Sequence, residues 1–367
     1  MASLRVACVV GARPNFIKMA ALIEEARRRP RVAATLIHTG QHFSAEMSQA
    51  LFEDLELPEP DRHLGAGGGT QAEQTAEIMI RLERVFEETR PGLALVVGDV
   101  NSTLAAALVA AKMGIRLAHV EAGLRSGDRA MPEEINRMVT DVLADYLFAT
   151  EPSGVENLRR EGIPEERIFF TGNVMIDTLL RFREKAARSD VLGRLGVAEK
   201  SYALVTLHRP SNVDSAAQLG AMIATLRRIR ESLPVVFPAH PRTRGNLEKF
   251  GIGCDGLILT PPLGYLDFLK LMSSARLVLT DSGGIQEETT ILQVPCLTLR
   301  ENTERPVTIE MGTNRLVGTD PETIVTAAQE ALEAPAVPSR TPPLWDGRAA
   351  ARIWDALEKQ APSGTAA

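Results

Sequence analysis

Only three cysteines, Cys8, Cys254 and Cys296, occur in 367 residues, an odd number at wide spacing that excludes a disulfide framework. They read as reduced thiols in apolar surroundings, the usage of a cytoplasmic protein. No uninterrupted apolar run reaches the length of a membrane span, so no membrane is expected as a partner. The amino terminus enters an apolar strand too early to hold a signal peptide's charged region and cleavage site, which again points to the cytoplasm. A basic excess is lacking too: 41 Lys and Arg stand against 47 Asp and Glu, a formal charge of −6, with the signs mixed along the chain. Nucleic acid, which calls for a basic face, is thereby disfavoured as a partner. An anionic small substrate remains compatible, provided that a few cationic side chains converge locally.

Several catalytic signatures are missing as well. There is no Cys-x-x-Cys and no His-Glu-x-x-His, and His38 and His42 are separated by Gly40 at a strand end rather than sharing a helix face, so no metal site is expected. Neither a Gly-x-Gly-x-x-Gly after the first strand nor a Walker Gly-Lys-Ser/Thr is present, which disfavours dinucleotide and P-loop chemistry. Asp281-Ser282-Gly283 lacks the leading glycine of a serine-hydrolase elbow.

What is present is an apolar fraction of 44% in a chain longer than one hydrophobic core usually serves, so two domains are the default. Short β-rich runs alternate with longer amphipathic stretches, the pattern of parallel sheets wrapped by crossover helices. Strands are expected at residues 5–10, 35–38, 93–97, 117–121, 146–149 and 168–170, with helices at 15–28 and 71–89. In the second of these helices Ile78, Leu82, Val85 and Phe86 form a stripe at helical spacing. After a charged helix around 177–187 and a turn-like Lys200-Ser201 the pattern restarts, with strands at 203–207, 235–237, 257–259, 277–279, 296–299 and 316–317. The expected fold is α/β, two doubly wound domains facing across a cleft, with ligands at the carboxyl ends of the strands. The expected boundaries are 1–175 and 176–345, the second closing on a Pro-rich linker over 334–343, then a helix within 346–360 and a small, polar, disordered tail at 361–367.

Polar residues gather where those strands end. The first ends in Gly11-Ala12-Arg13-Pro14 with Lys18 a turn later, the second in His38-Thr39-Gly40-Gln41-His42. The next two end in Gly98-Asp99 and in His119-Val120-Glu121-Ala122-Gly123-Leu124-Arg125. Met131-Pro132-Glu133-Glu134-Ile135-Asn136-Arg137 opens a helix, Pro and acids being favoured in a first turn. Glu133 and Arg137 are spaced for an ordinary surface ion pair, yet Asp99, Glu121 and Glu133 in one pocket would suit proton transfer. In the second half His208-Arg209 and His240-Pro241 close apolar strands, and Glu304-Arg305-Pro306 offers a guanidinium to an anion. The segment 277–288 runs from strand through Ser282-Gly283-Gly284 into a helix-compatible acidic run. Such a turn is either a plain connection or a phosphate cradle, since unpaired amides and the helix dipole both favour an anion there.

Taken together, Gly11-x-Arg13-Pro14-x-x-x-Lys18, Gln41-His42, Gly98-Asp99, His119 through Arg125, Pro132-Glu133-Glu134-x-Asn136-Arg137, His208-Arg209, Thr280 through Glu288 and Glu304-Arg305-Pro306 give the chain a resemblance. Over about residues 5–357 it resembles the non-hydrolysing UDP-N-acetylglucosamine 2-epimerases. The resemblance implies two Rossmann-like domains of the GT-B glycosyltransferase type, a UDP site, a homodimer, no metal or other cofactor, and a final helix packing back on the first domain. It also implies a reaction: elimination of UDP to a 2-acetamidoglucal, then re-addition with protonation on the opposite face, interconverting UDP-N-acetylglucosamine and UDP-N-acetylmannosamine for cell-surface polysaccharide. Carried over residue by residue, it makes Asp99, Glu121, Glu133 and His208 the catalytic candidates. Arg13, Lys18, Arg137, Ser282, Gly283, Gly284, Glu288 and Arg305 would bind nucleotide and sugar. Glu288 suits the ribose hydroxyls, and Phe268 would lie beside the uracil unless it is plain core.

The sequence departs from the family pattern in places. Pro210-Ser211 follows His208-Arg209 where a second Arg and a Glu are common; Asn15 follows Pro14 where an acid is frequent; and Gly67-Gly68-Gly69-Thr70 lacks the basic residue of members with a regulatory substrate site. Gln41, His42, Arg209 and His240 are the candidates for such a second site. The alternatives are a 2-epimerase of a UDP-2,3-diacetamido uronic acid, with Arg129 or Arg209 serving its carboxylate, a hydrolysing epimerase, a UDP-sugar glycosyltransferase and a non-catalytic UDP-sugar sensor.

Overall fold

A computed structural model describes residues 3–41, 51–334 and 340–360; His42, half of the Pro-rich linker and the tail at 361–367 lie outside them. The chain divides into two compact units, Met1–Arg181 with Pro343–Ala367 and Phe182–Pro342, where breaks at 175/176 and 345/346 are expected from sequence.

In the first unit strands β1 (Leu4–Val10), β2 (Val32–His38), β3 (Arg62–His63), β4 (Leu93–Val97), β5 (Arg116–Ala122), β6 (Tyr146–Ala149) and β7 (Ile168–Phe170) form one sheet in the order β3-β2-β1-β4-β5-β6-β7, every pairing parallel. The strands are nearly continuous apolar runs because both faces are covered by helices. One covering helix, Asn101–Lys112, buries Ala105, Ala106, Ala107 and Ala110, whose short side chains let it approach the sheet closely. In the second unit β8 (Ala203–Thr206), β9 (Val235–Pro238), β10 (Ile258–Thr260), β11 (Leu277–Thr280), β12 (Cys296–Thr298) and β13 (Asn314–Leu316) give a second parallel sheet, β10-β9-β8-β11-β12-β13. Both orders reverse direction once, between β1 and β4 and between β8 and β11. Each unit is therefore a Rossmann-like, doubly wound α/β domain, and each reversal opens a crevice at the strands' carboxyl ends.

Strand β3 has no counterpart in the sequence reading: its two residues are exposed and offer no apolar run. Strand β13 begins two residues earlier than expected because Asn314, buried, hydrogen-bonds Gln286, Thr298 and Thr308 inside the unit. Cys8 and Cys296 are buried free thiols, both pushed up to about 12 chiefly by that burial. Cys254 is half-buried and packs against the apolar core of the second unit.

The last helix, Ala349–Gln360, belongs to the first unit. It buries Ile353, Trp354 and Leu357, its Trp354 Nε1 donates to the Leu22 carbonyl at 2.9 Å, and Arg29 reaches its Asp355 and Glu358 at 2.7 Å each. Its first amides are capped from a distance: the Asp177 carboxylate accepts from Ala349 and Ala350 at 3.1 and 2.7 Å. Burial raises the Asp177 carboxyl, and the two amides only partly oppose it, leaving it at about 6 against an ordinary 3.8. A folded value above the unfolded one adds stability that is complete below the ordinary value and is lost as pH rises through about 6. We expect the melting temperature of Asp177→Asn to rise relative to the parent's between pH 4 and 7, because only the parent loses this stability; a constant or falling difference would contradict this account. No helix among the described residues is long and apolar enough to cross a membrane.

Candidate active site

At the β1/β4 reversal, Gly11 lets β1 turn into the helix Arg13–Arg27, since a Cβ there would overlap Ser102 Oγ. Asn15, in the first turn, accepts from the amides of Ala12 at 3.1 Å and Gly11 at 3.4 Å and donates to the Val97 carbonyl at 2.8 Å. A carboxylate could accept but not donate, so this departure from the family pattern ties β1 to β4 in a way an acid would not. One turn on, Lys18 is buried and ion-paired with Glu121. Gly98 makes room for that pair: a Cβ on it would lie 3.2 Å from both Glu121 Oε2 and Lys18 Nζ.

Glu121 itself has φ +76, the left-handed region, at a bulge in the β5–β6 pairing between Val120 and Ala122. For a residue other than glycine this costs on the order of 1–3 kcal/mol and persists only where the surroundings impose it. Gly123, also left-handed, follows, packed so closely on Gly154 that a Cβ would overlap its carbonyl.

Asp99 is half-buried and takes Arg137 Nη2 at 2.6 Å. Arg137, 1% exposed, also pairs with Glu134, and the next-door Asn136 donates to the Asp99 carbonyl at 2.9 Å. The surface pair considered between Glu133 and Arg137 is therefore not formed: Arg137 turns inward, and no ion pair to Glu133 is present among the described residues. Glu134, not singled out in the sequence, accepts from the amides of Ser126 and Gly127 at 3.0 Å each and holds that loop. Glu133 is half-buried on the same first turn. Arg13, half-buried, is the first residue of its helix. The structure thus brings Lys18, Glu121, Asp99 and Arg137 to one reversal point.

In the second unit the β8/β11 reversal is organised by Asp281, fully buried, which sequence reading left out. Its carboxylate meets His208 Nδ1 at 2.8 Å and accepts from the amides of His208 and Arg209 and from Asn212 Nδ2 at 3.1 Å. Burial raises this carboxyl, but the facing His208 and the amides outweigh it and hold it below the usual range. His208 is 42% exposed. With Nδ1 directed at Asp281, Nε2 is the ring nitrogen left to meet a ligand, the orientation that suits acid–base or phosphate contact.

Ser282 precedes the helix Gly283–Leu292, and Gly283 admits the Arg305 guanidinium, whose Cζ would lie 2.8 Å from a Cβ there. Arg305 is held by Glu287 at 2.8 Å and Glu304 at 2.7 Å, and Glu304 also meets Arg300 at 2.8 Å and Arg209 at 3.5 Å, all of Glu287, Arg300, Glu304 and Arg305 being buried. Burial depresses the Arg300 guanidinium despite Glu304, and its Nη1 is buried without a hydrogen-bond partner. Three arginines against two carboxylates beside a helix N-terminus form an electropositive seat for an anion. Arg300 is a further candidate that sequence reading left out; its signal is its place just past the end of β12, the same strand-end region that marks the others. Glu288 is buried one turn into the helix. Phe268 is half-buried in the helix Tyr265–Ser274, its amide bonded to the Gly264 carbonyl at 3.0 Å.

Of the candidates for a second site, Gln41 lies in the first unit and Arg209 and His240 in the second. Gln41 spends its side-chain oxygen on the Ser102 amide and hydroxyl at 2.9 and 2.7 Å, and exposed His240 caps its own helix through Arg242 N at 3.2 Å, its ring 5.9 Å from His208. His42 lies outside the described residues.

A family model described as UDP-N-acetylglucosamine 2-epimerase matches residues 24–358. The chain is 42% identical over 336 residues to a UDP-N-acetylglucosamine 2-epimerase of Methanocaldococcus jannaschii, spanning 89% of this chain and 92% of that one. It is 39% identical over 333 residues to a UDP-2,3-diacetamido-2,3-dideoxy-D-glucuronate 2-epimerase of Pseudomonas aeruginosa, spanning 90% and 92%. Among solved structures, the M. jannaschii UDP-GlcNAc 2-epimerase in complex with UDP-GlcNAc and UDP is similar at a TM-score of 0.91 and 40% identity, covering 97% of this chain and 99% of that one. By the family model over residues 24–358, and by this likeness over nine-tenths of its length, the chain belongs to the UDP-N-acetylglucosamine 2-epimerase family.

Proposed function

We propose that the protein interconverts UDP-N-acetylglucosamine and UDP-N-acetylmannosamine, inverting carbon 2 of the sugar. The observation that carries this is the buried Lys18–Glu121 pair beside Asp99–Arg137, two carboxylates on one reversal point. No carbonyl acidifies the hydrogen on carbon 2, so direct abstraction would be prohibitively slow. Elimination circumvents this: a carboxylate takes that proton, the C2–H pair becomes the C1–C2 double bond, and UDP departs with the C1–O pair. Re-addition reverses these steps with the proton delivered to the other face, so proton-transfer groups are needed on both faces. Asp99, Glu121 and Glu133 supply them, with Lys18 and Arg137 ion-paired to Glu121 and Asp99.

His208, oriented by Asp281, serves the diphosphate or the leaving oxygen. Ser282, Gly283, Gly284, Arg305 and Arg300 hold the diphosphate, Glu288 the ribose, and Phe268 flanks the uracil; Arg13 completes the nucleotide and sugar contacts. A sugar carboxylate would need a cation of its own. Arg209 faces Glu304 at 3.5 Å and Arg129 is exposed, which favours the neutral sugar over the uronic acid. In deuterated water, carbon-2 NMR of UDP-N-acetylglucosamine incubated with the protein should show deuterium incorporation together with the manno product. Intact, unexchanged substrate after long incubation would sink the proposal.

The cytoplasm, where free Cys8 and Cys296 persist, is the proposed location. A homodimer is the proposed assembly. Ile135 and Val142, 37% and 63% exposed, lie with Met138 and Val139 along the helix Pro132–Leu143, an apolar face that a second copy would cover about a two-fold axis. Light scattering should report a dimer for the parent chain and a monomer for Val142→Asp; a monomeric parent removes this assignment.

A further inference from the structure

Asp141 lies on the helix Pro132–Leu143 with no exposed surface, so it touches no ligand. Its contacts nevertheless surround the strained residue of the site. Oδ1 meets His119 Nδ1 at 2.6 Å, two positions before Glu121. Oδ2 accepts from the Gly123 amide at 3.1 Å, two positions after it, and from Arg125 Nη1 at 2.7 Å, four positions after it. Arg125 is in turn held by Glu161 at 2.6 Å. The far side of His119 extends the network, since Nε2 lies 2.8 Å from the Gly98 carbonyl, the residue preceding Asp99. A carbonyl only accepts, so Nε2 carries hydrogen.

Buried charge of this kind is costly unless fully engaged, and here every contact falls on the backbone or side chains that flank two of the proposed proton-transfer carboxylates. A packed apolar residue would fill the same space with less desolvation. It would not fix three points around a left-handed glutamate.

We propose that Asp141 is a positioning residue, which through His119, Gly123 and Arg125 clamps the bulge that aims Glu121 and, through the Gly98 carbonyl, registers the Asp99 loop against it. The inference rests on the proposed epimerase reading for its catalytic consequence but not for its structural one, and the test separates the two. In the full-length protein Asp141→Asn keeps the size and loses the charge. Misplacement of a reacting group by about 1 Å costs on the order of 100-fold in rate, so kcat should fall by about that much while KM and the Kd for UDP hold, because the nucleotide contacts of the second unit are untouched. A crystal structure of the variant should show Glu121 leaving the positive-φ region or parting from Lys18, and amide exchange at Gly123 should quicken.

Should the variant not fold, His119→Gln, which retains one of the two hydrogen bonds, carries the same expectations. Either folded variant with Glu121 unmoved overturns the clamp, whether or not the parent turns over UDP-N-acetylglucosamine. A displaced Glu121 with an inactive parent instead leaves the clamp standing and removes the epimerase reading. A rise in KM or loss of UDP binding with kcat preserved would also count against it, since that is what a merely structural disturbance of the binding side would give.

Discussion

Glu121→Gln is expected to lower kcat by about 10²- to 10⁴-fold, the range supplied by a general acid or base, while leaving UDP affinity intact. The amide has nearly the same volume and can still occupy the bulge, so the loss isolates the proton-transfer capacity rather than the packing. It also removes the ionic partner of buried Lys18. An uncompensated buried charge destabilises, so the melting temperature should fall in parallel and the kinetic constants must be taken well below it. Measured by coupled UDP-N-acetylmannosamine formation and by calorimetric UDP titration, near-normal turnover would refute the assignment of Glu121. The same exchange at Asp99 and at Glu133 should give losses of the same class, and Glu133→Gln is the sharper test of the two because no ion pair to Glu133 among the described residues confuses its outcome.

Gly283→Ala should weaken UDP binding by about 10- to 100-fold, the equivalent of one hydrogen bond to a charged group, about 1.5–3 kcal/mol. The added Cβ would overlap Arg305 Nη1, lie 2.8 Å from its Cζ and reach 3.0 Å from Glu304 Oε1. A flexible arginine on a surface would swing aside at little cost. Arg305 is buried and pinned by Glu287 and Glu304, so it yields only by disturbing the whole anion seat, Arg300 and Arg209 included. Calorimetry with UDP alone reads this directly, and an unchanged Kd would show that the diphosphate does not sit at the start of this helix.

Much of this was legible in the sequence because strand periodicity and strand-end chemistry reinforce each other. Apolar runs such as residues 93–97 and 277–279, short and alternating with longer amphipathic stretches, read as buried parallel strands, and the polar residues that follow them then collect on one rim. What escaped reading depended on three-dimensional pairing. Asp141 and Asp281 look like a helix acid and a turn acid until their partners His119 and His208, at distances of 22 and 73 positions, are brought to them. Glu133 and Glu134 are chemically equivalent neighbours, and only the turn of the helix decides that Glu134 goes inward to Arg137. Arg300 was hidden for the opposite reason: its motif was read for Arg305, although burial and Glu304 link the two. Strand β3 has no apolar signal at all, since its place is given by pairing with β2.

The return of the helix Ala349–Gln360 to the first unit bears on biosynthesis. Trp354 and Leu22 meet across nearly the full chain, so the first Rossmann-like unit emerges from the ribosome with the seat of its last helix uncovered. Residues 182–342 must all be made in between, on the order of ten seconds at about 5–20 residues/s. The second unit is contiguous and can finish folding before the first. During that interval the exposed apolar seat around Leu22 is a chaperone and aggregation liability, and a nascent chain stalled before residue 349 should be more protease-sensitive in its first unit than in its second.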